Sequence, residues 1–253
     1  MMKAVILAGG YAQRLKPLTN DKAKPLLEVA GKPVIDYVLK KVLEVRKKAE
    51  IDEVIISTNL KFEAQFKMWL KRKKIPINAR IEVEKSTREE EKPGAVAAMA
   101  MVTAKNMHVN YLIVAGDNIF TDSLQGIINF FKEKDATVLG VYDVKKREIA
   151  REASIVVLNS NGKVVRFVEK PKNPETTLVG TCIYILHKRS LPLLQKYVKL
   201  KNVGKDQPGR FIEWLYKHQP VYGYVLGGYW NDIGTIQTYK EVNNFFKKFL
   251  RKS

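Results

Sequence analysis

Residues 4–38 read AVILAGGYAQRLKPLTNDKAKPLLEVAGKPVIDYV. The apolar run KAVILAG (3–9) stops at the pair Gly9–Gly10, Arg14 and Lys24 follow, and a helical period resumes at Val34. A short run with no polar interruption is what a strand buried on both faces of a parallel sheet requires. The two glycines would let backbone N–H groups approach an anion closely, and Arg14 can fork onto phosphate oxygens. The loop lacks the later glycines of the dinucleotide fingerprint and the Gly-Lys-Ser/Thr of the P-loop. Read alone, the glycine pair is equally a tight turn with no ligand.

Working outward, strands and helices alternate. Helical spacing covers 34–48, with Pro33 suited to a first turn, then 62–73, 94–107 and 123–134. Between them lie the strand-like runs 52–59, 79–85, 111–118 and 136–144. Five strands joined by four helical crossovers predict an α/β fold with a Rossmann-like, doubly wound, mainly parallel sheet. After residue 150 the pattern changes: two strands surround an Asn161–Gly162 turn within 153–171, and another runs through 177–188. A helix at 210–218, a strand at 221–227 and a closing helix at 236–252 complete the chain. No composition break marks a second domain. The expectation is one domain over 1–253, with C-terminal strands extending the sheet and forming a lid.

The 253 residues suffice for one sizeable core. Lys and Arg outnumber Asp and Glu by 45 to 26, a net charge of +19, but the cations are spread through the chain. No zinc-finger spacing or aromatic-rich basic signature accompanies them, so they read as solvated faces and a field for an anionic substrate, not as a specific nucleic-acid surface. No apolar run approaches membrane-spanning length. The single cysteine, Cys182, cannot form an internal disulfide, which suits a reducing cytoplasm. His108, His187 and His218 are scattered and fit no zinc pattern.

In open α/β sheets, ligands bind beyond the carboxyl ends of the strands. Two acidic loops belong there: AGDN (115–118) at the end of a buried strand, and WNDIGT (230–235). Asp117 can hold Mg²⁺, which takes one or two carboxylates together with phosphate oxygens, or it can cap the next helix. Asp232 by itself is equally a turn residue. Two such carboxylates meeting at one sheet edge would form a metal clamp.

The stretch LAGGYAQRLKPLTNDKAKPLLEVAGKPVIDY resembles the N-terminal signature of the sugar-phosphate nucleotidylyltransferases, and GDN (116–118), EKP (169–171) and WNDIGT (230–235) follow in that family's order. The resemblance spans residues 3–243. It implies the reaction of a nucleoside triphosphate with a sugar 1-phosphate to give a nucleotide-sugar and pyrophosphate. The substrate's own phosphate would be the nucleophile, so no Ser/His/Asp triad is needed. By resemblance, Leu7, Ala8, Gly9, Gly10, Gln13, Arg14, Gly94 and Asp117 belong to the nucleotide site. Lys24, Glu169, Lys170, Gly180 and Thr181 belong to the sugar-phosphate site, Arg14 and Lys24 are catalytic, and Asp117 and Asp232 hold Mg²⁺. Residues 1–150 would be mainly nucleotide-binding and 151–253 mainly sugar-binding. Glucose 1-phosphate with dTTP or UTP is the first expected pair and mannose 1-phosphate with GTP the second. A non-catalytic nucleotide-sugar sensor is the rival class, and homo-oligomer formation stays open.

Three positions depart from the family pattern. Ala12–Gln13 stands where Gly-Thr is usual, Ala153–Ser154 where Tyr-Gly is frequent, and Cys182 in place of a glycine. If position 12 needs a positive φ, Ala12 costs about 1 kcal/mol or forces another loop path. Several relatives append a left-handed β-helix of hexapeptide repeats; none is present up to Ser253, so acyl transfer is not expected.

Overall fold

A computed structural model describes residues 1–251. The chain opens with β1 (Met2–Leu7), a two-stranded hairpin of β2 (Glu28–Val29) and β3 (Lys32–Pro33), and helix α1 (Val34–Val45). There follow β4 (Ile51–Asn59), α2 (Glu63–Lys71), β5 (Asn78–Glu84), α3 (Ala95–Ala104) and β6 (Asn110–Ala115). Next come β7 (Asn118–Phe120), α4 (Gln125–Lys134), β8 (Thr137–Asp143) and the short α5 (Arg147–Ala150). The remainder is β9 (Ser154–Leu158), β10 (Val164–Glu169), β11 (Leu178–Leu186), α6 (Leu191–Tyr197), α7 (Pro208–Leu215), β12 (Val221–Val225), β13 (Trp230–Asp232) and α8 (Ile236–Leu250). The predicted end of the last helix, at 252, lies outside the described residues.

The expected α/β sheet forms. Strand β1 is parallel to β4 on one side and to β6 on the other, and β4 is parallel to β5. Its alternate residues feed two cores. Ala4 and Ile6 pack with Ile35, Val38, Phe66, Trp69 and Ile127 of α1, α2 and α4, whereas Val5 packs with Val96 and Met99 of α3 and Phe211 of α7. Both faces of the sheet are therefore covered by helices, which is why β1 had to be apolar throughout.

The fifth predicted strand, β8, does not lie beside β6. The long β11 inserts between them, antiparallel to both, and β12 continues the sheet parallel to β8. Strands from both halves of the chain thus share one sheet. The predicted strand 111–118 breaks after Ala115. Gly116 donates its N–H to Leu7 O (2.8 Å), and a Cβ there would sit 2.9 Å from the same oxygen. The chain then leaves the sheet as β7 and pairs antiparallel with β13, placing Asn118 opposite Asp232. Pro33 precedes α1 instead of occupying its first turn.

Strand β11 is also where the sheet divides. Its Ile183–Leu186 segment pairs with β6, whereas Val179 pairs with Ile155 of β9. Between the two segments the register shifts, and Cys182 takes φ +55°. The hairpin β9–β10 and the strand β6 therefore pair with different ends of β11, on either side of Gly180–Cys182.

Candidate active site

The loop after β1 forms the first wall of the site. The carbonyls of Leu7, Ala8 and Gly9 are tied down by Gly116 N–H, Thr58 Oγ1 and Asn59 Nδ2 respectively, and Ala8 N–H donates to Ser57 O. The N–H groups of Gly9, Gly10, Tyr11 and Ala12 donate to no acceptor among the described residues. Successive unpaired N–H groups of this kind form an anion-binding concavity. Ala12 adopts φ 51°, ψ 49°, so this position does demand the left-handed conformation, and the chain holds it without glycine. Thr19 Oγ1 donates to Ala12 O (2.9 Å) and fixes the turn. Gln13 and Arg14 open a single 3₁₀ turn, and both side chains are exposed.

Four charged side chains then converge from three parts of the chain. Lys24 Nζ meets Asp117 Oδ2 at 2.5 Å, with both side chains largely buried. Asp232 follows Asp117 in space because β13 pairs with β7, and Ile233 N–H donates to Asp117 O (3.3 Å). A Cβ at Gly234 would lie 2.9 Å from Asp232 Oδ2 and 3.4 Å from Arg14 Nη2, which brings Arg14 to the same corner. Burial raises the Asp232 carboxyl above the usual carboxylate range; the Asp117 charge raises it further, while Lys24 and Arg14 oppose the rise. The WNDIGT segment also has a structural role, because Thr235 caps α8: its Oγ1 accepts from Thr238 N–H (3.1 Å).

The residues expected at the sugar lie on β9 and β10 and just after them. Glu169 is buried and accepts a short hydrogen bond from Ser154 Oγ, so the serine that departs from the family pattern holds the carboxylate. Gly209 of α7 lies directly on this pair, and a Cβ there would collide with both oxygens. Lys170 is exposed, has φ +48°, and is held by its N–H to Ala153 O (3.1 Å). Cys182 lies within electrostatic reach of both Asp117 and Glu169; burial chiefly, with those charges, pushes its thiol up to about 12.

Not every expected residue offers its side chain. Thr181 is buried and donates to Gly140 O (2.9 Å), and its carbonyl accepts from Asn118 Nδ2, so it braces the floor. Gly180 packs at 3.7 Å against Phe167 and Leu139. Gly94, with φ +92°, is required because the Lys205 carbonyl passes where a side chain would be; Val96 N–H donates to that carbonyl (2.8 Å). This contact and the Lys92–Asp206 ion pair (3.1 Å) fasten the start of α3 to the loop before α7. Sequence reasoning missed Glu84, Ser154 as a partner of Glu169, and Trp230, whose buried Nε1–H finds no acceptor among the described residues.

A family model for nucleotidyl transferases matches residues 3–248. The chain belongs to that family. It is 30% identical over 245 residues to the "Bifunctional protein GlmU" of Methanocaldococcus jannaschii, covering 96% of this chain and 54% of that one. It is 27% identical over 255 residues to "Mannose-1-phosphate guanylyltransferase 1" of Arabidopsis thaliana, covering 99% of this chain and 66% of the other. The chain thus spans about half to two thirds of the length of these curated relatives. Among solved structures, a Bacillus anthracis chain described as a glucose-1-phosphate thymidylyltransferase in complex with sucrose superimposes with a TM-score of 0.84. It shares 22% identity, with 98% of this chain and 96% of that one covered. That likeness establishes the nucleotide-diphospho-sugar transferase fold.

The donor set at Asp117 and Asp232 suits a hard divalent ion. Among the described residues no three His, Cys, Asp or Glu side chains gather at one point, so the two carboxylates would need ligand oxygens to complete a coordination shell. Magnesium takes such a site, keeping one or two carboxylates with phosphate oxygens and water.

Proposed function

We propose that this chain is a Mg²⁺-dependent sugar-1-phosphate nucleotidylyltransferase. The observation that carries the reading is the convergence of Arg14, Lys24, Asp117 and Asp232 beside the unpaired N–H groups after β1. An oxygen of the sugar 1-phosphate attacks the α-phosphorus of the triphosphate. The bond from that phosphorus to the bridging oxygen breaks, and its electron pair leaves with pyrophosphate. Two polyanions must approach each other, so positioning and charge neutralisation are the chemistry required of the protein.

In this reading the Gly9–Ala12 amides and Arg14 hold the β- and γ-phosphates against repulsion. Lys24 moves from Asp117 to the oxygens of the attacking phosphate and the α-phosphate. Asp117 and Asp232 would hold Mg²⁺, which supplies charge neutralisation when bound. Glu169, oriented by Ser154, accepts hydrogen bonds from sugar hydroxyls, and Lys170 pairs with the sugar phosphate. Residues 1–150 serve mainly the nucleotide and 151–253 mainly the sugar, within one domain acting in the cytoplasm. Glucose 1-phosphate and mannose 1-phosphate are the sugars to test first, with dTTP, UTP and GTP as donors.

The test is pyrophosphate release from a matrix of sugar 1-phosphates and nucleoside triphosphates, with products identified by mass. Turnover that requires a divalent ion and yields the matching nucleotide-sugar is expected. Nucleotide-sugar binding with no turnover on any pair would replace the enzyme by a sensor.

A further inference from the structure

The nucleotide wall holds a buried acid that the reaction does not use. Glu84, the last residue of β5, is 6% exposed and stands in register with Asn59, whose side chain grips Gly9 O. Its Oε1 lies 3.5 Å from where a Gly9 side chain would begin, so the carboxylate sits directly against the anion loop. A relay of hydroxyls orients it: Tyr11 O–H donates to Ser86 Oγ (3.1 Å), and Ser86 O–H donates to Glu84 Oε1 (2.9 Å). Its second oxygen, Oε2, accepts no hydrogen bond from any described residue. Burial holds the carboxyl above its usual range, so the arrangement costs stability.

The site's own geometry says what arrives there. The proposed reaction centre at Lys24 and Asp117 lies on the β6 side of β1, and β9 and β10, which carry the proposed sugar residues, lie further along that side. With the phosphates on the Gly9–Arg14 loop and the sugar on the β6 side, the base falls on the opposite side, toward β4 and β5, where Glu84 lies against Gly9. An ionised carboxylate accepts hydrogen bonds and donates none. Guanine presents two adjacent donors, N1–H and the N2 amino group, which match its two oxygens. Uracil and thymine present a single N3–H flanked by two carbonyl oxygens that would face the carboxylate. Adenine and cytosine present an amino group beside a ring nitrogen acceptor.

We infer that Glu84 reads the Watson–Crick edge of the base and selects a guanine nucleotide. The inference rests on the nucleotidyl-transfer reading for the placement of the phosphates, and it reverses the donor order expected from sequence. The Lys92–Asp206 and Lys92–Glu89 pairs stand on the same side, and Glu84 feels the charges of Lys92 and Asp206.

The test uses the full chain and two readouts. Thermal-shift and calorimetric binding of GTP, dTTP, UTP, ATP and CTP with MgCl₂ requires no turnover; kcat/KM over the same donors with mannose 1-phosphate and glucose 1-phosphate adds chemistry. GTP should bind at least 10-fold more tightly than dTTP or UTP. Glu84→Gln offers one acceptor and one donor, the complement of a uracil or thymine edge, and should shift the GTP:UTP ratio at least 30-fold toward UTP. Wild-type preference for dTTP or UTP over GTP, or a ratio changed less than 3-fold in Glu84→Gln, overturns the inference. If that variant does not fold, the wild-type ratio decides, supported by Ser86→Ala, which removes the orienting hydroxyl and should lower the ratio several-fold. Base selectivity in binding without turnover would leave Glu84 intact and refute only the reaction.

Discussion

Removing the Lys24 side chain is the sharpest perturbation of the proposed chemistry. In the ligand-free protein its Nζ is 2.5 Å from Asp117 Oδ2 and its side chain is only 12% exposed, so the charge acts in a medium far less screening than water. Two unit charges about 4 Å apart at an effective dielectric of about 20 interact by roughly 4 kcal/mol. Water entering the vacated space recovers part of that, leaving about 2–4 kcal/mol of lost transition-state stabilisation. At about 1.4 kcal/mol per decade, Lys24→Ala should lower kcat roughly 30- to 1,000-fold at saturating substrates. The same substitution frees Asp117 from its competing cation, so the increase in Tm caused by MgCl₂ should become larger while activity falls. Steady-state kinetics beside thermal melts with and without the ion would read both effects. A kcat within 3-fold of wild type in a folded variant would refute the role assigned to Lys24. A variant that loses activity and the metal response together would show that Lys24 merely supports the fold of the site.

Four further outcomes follow from the geometry. Asp232 has a raised pKa, so its folded form holds a proton more tightly than its unfolded form; the resulting penalty is absent below the unfolded carboxylate pKa and grows as pH rises through the folded one. Asp232→Asn should therefore raise the metal-free Tm at pH 7, leave it unchanged near pH 3, and abolish the MgCl₂-induced increase; an unchanged metal response would remove Asp232 from the clamp. Gly209→Ala drives a methyl into Glu169 and Ser154, costing about 1–3 kcal/mol by overpacking, and should raise KM for the sugar phosphate at least 10-fold while sparing that for the nucleotide. Ala12→Gly relieves a left-handed alanine and should raise Tm by about 2–4 °C, given about 1 kcal/mol in a chain of this length. The Cys182 thiol, pushed up to about 12, should resist iodoacetamide at pH 8 in the folded protein and react once denaturant exposes it.

Much of this was legible in the sequence, for identifiable reasons. Strands β1 and β6 lie in the middle of the sheet and carry unbroken apolar runs, and helices α1 and α4 bury one face and repeat accordingly. Arg14, Lys24, Asp117 and Asp232 were marked as a set by ordered motifs, and the structure brings them to one corner. What periodicity could not supply was the neighbour of each strand. LVGTCIYIL reads as a strand wherever it is placed, and its insertion between β6 and β8 depends on contacts to residues far away in the chain. Glu84 illustrates the same limit. A glutamate closing an alternating run reads as solvent-facing, and only the approach of Gly9, 75 positions earlier, turns it inward. The helix at 191–197 was not anticipated; Pro192 lies in its first turn, where a proline removes no hydrogen bond the helix needs.

Two of the family departures, Ala12 and Cys182, share a physical feature of the backbone with Lys170. Eight non-glycine residues among those described adopt a left-handed conformation, and three of them border the candidate site: Ala12 and Lys170 on loops and Cys182 in the bulge of β11. Each would be more comfortable as glycine, at about 1–2 kcal/mol per residue. Strain of this kind persists only where surrounding contacts over-determine it. Ala12 is held by Thr19 Oγ1, and Lys170 by the carbonyl of Ala153. The bulge at Cys182 is pinned beside Thr181, where Asn118 and Gly140 bond the backbone and hydroxyl. Glycine at these positions would let the loops sample more conformations; alanine, lysine and cysteine narrow them. The Gly9–Arg14 loop, Lys170 and the bulge of β11 are thus stiffened in the free chain, so that under the proposed function less ordering is left for binding to supply. Ala12→Gly should accordingly gain stability and lose nucleotide affinity together, and a gain in both would disprove the argument for preorganisation.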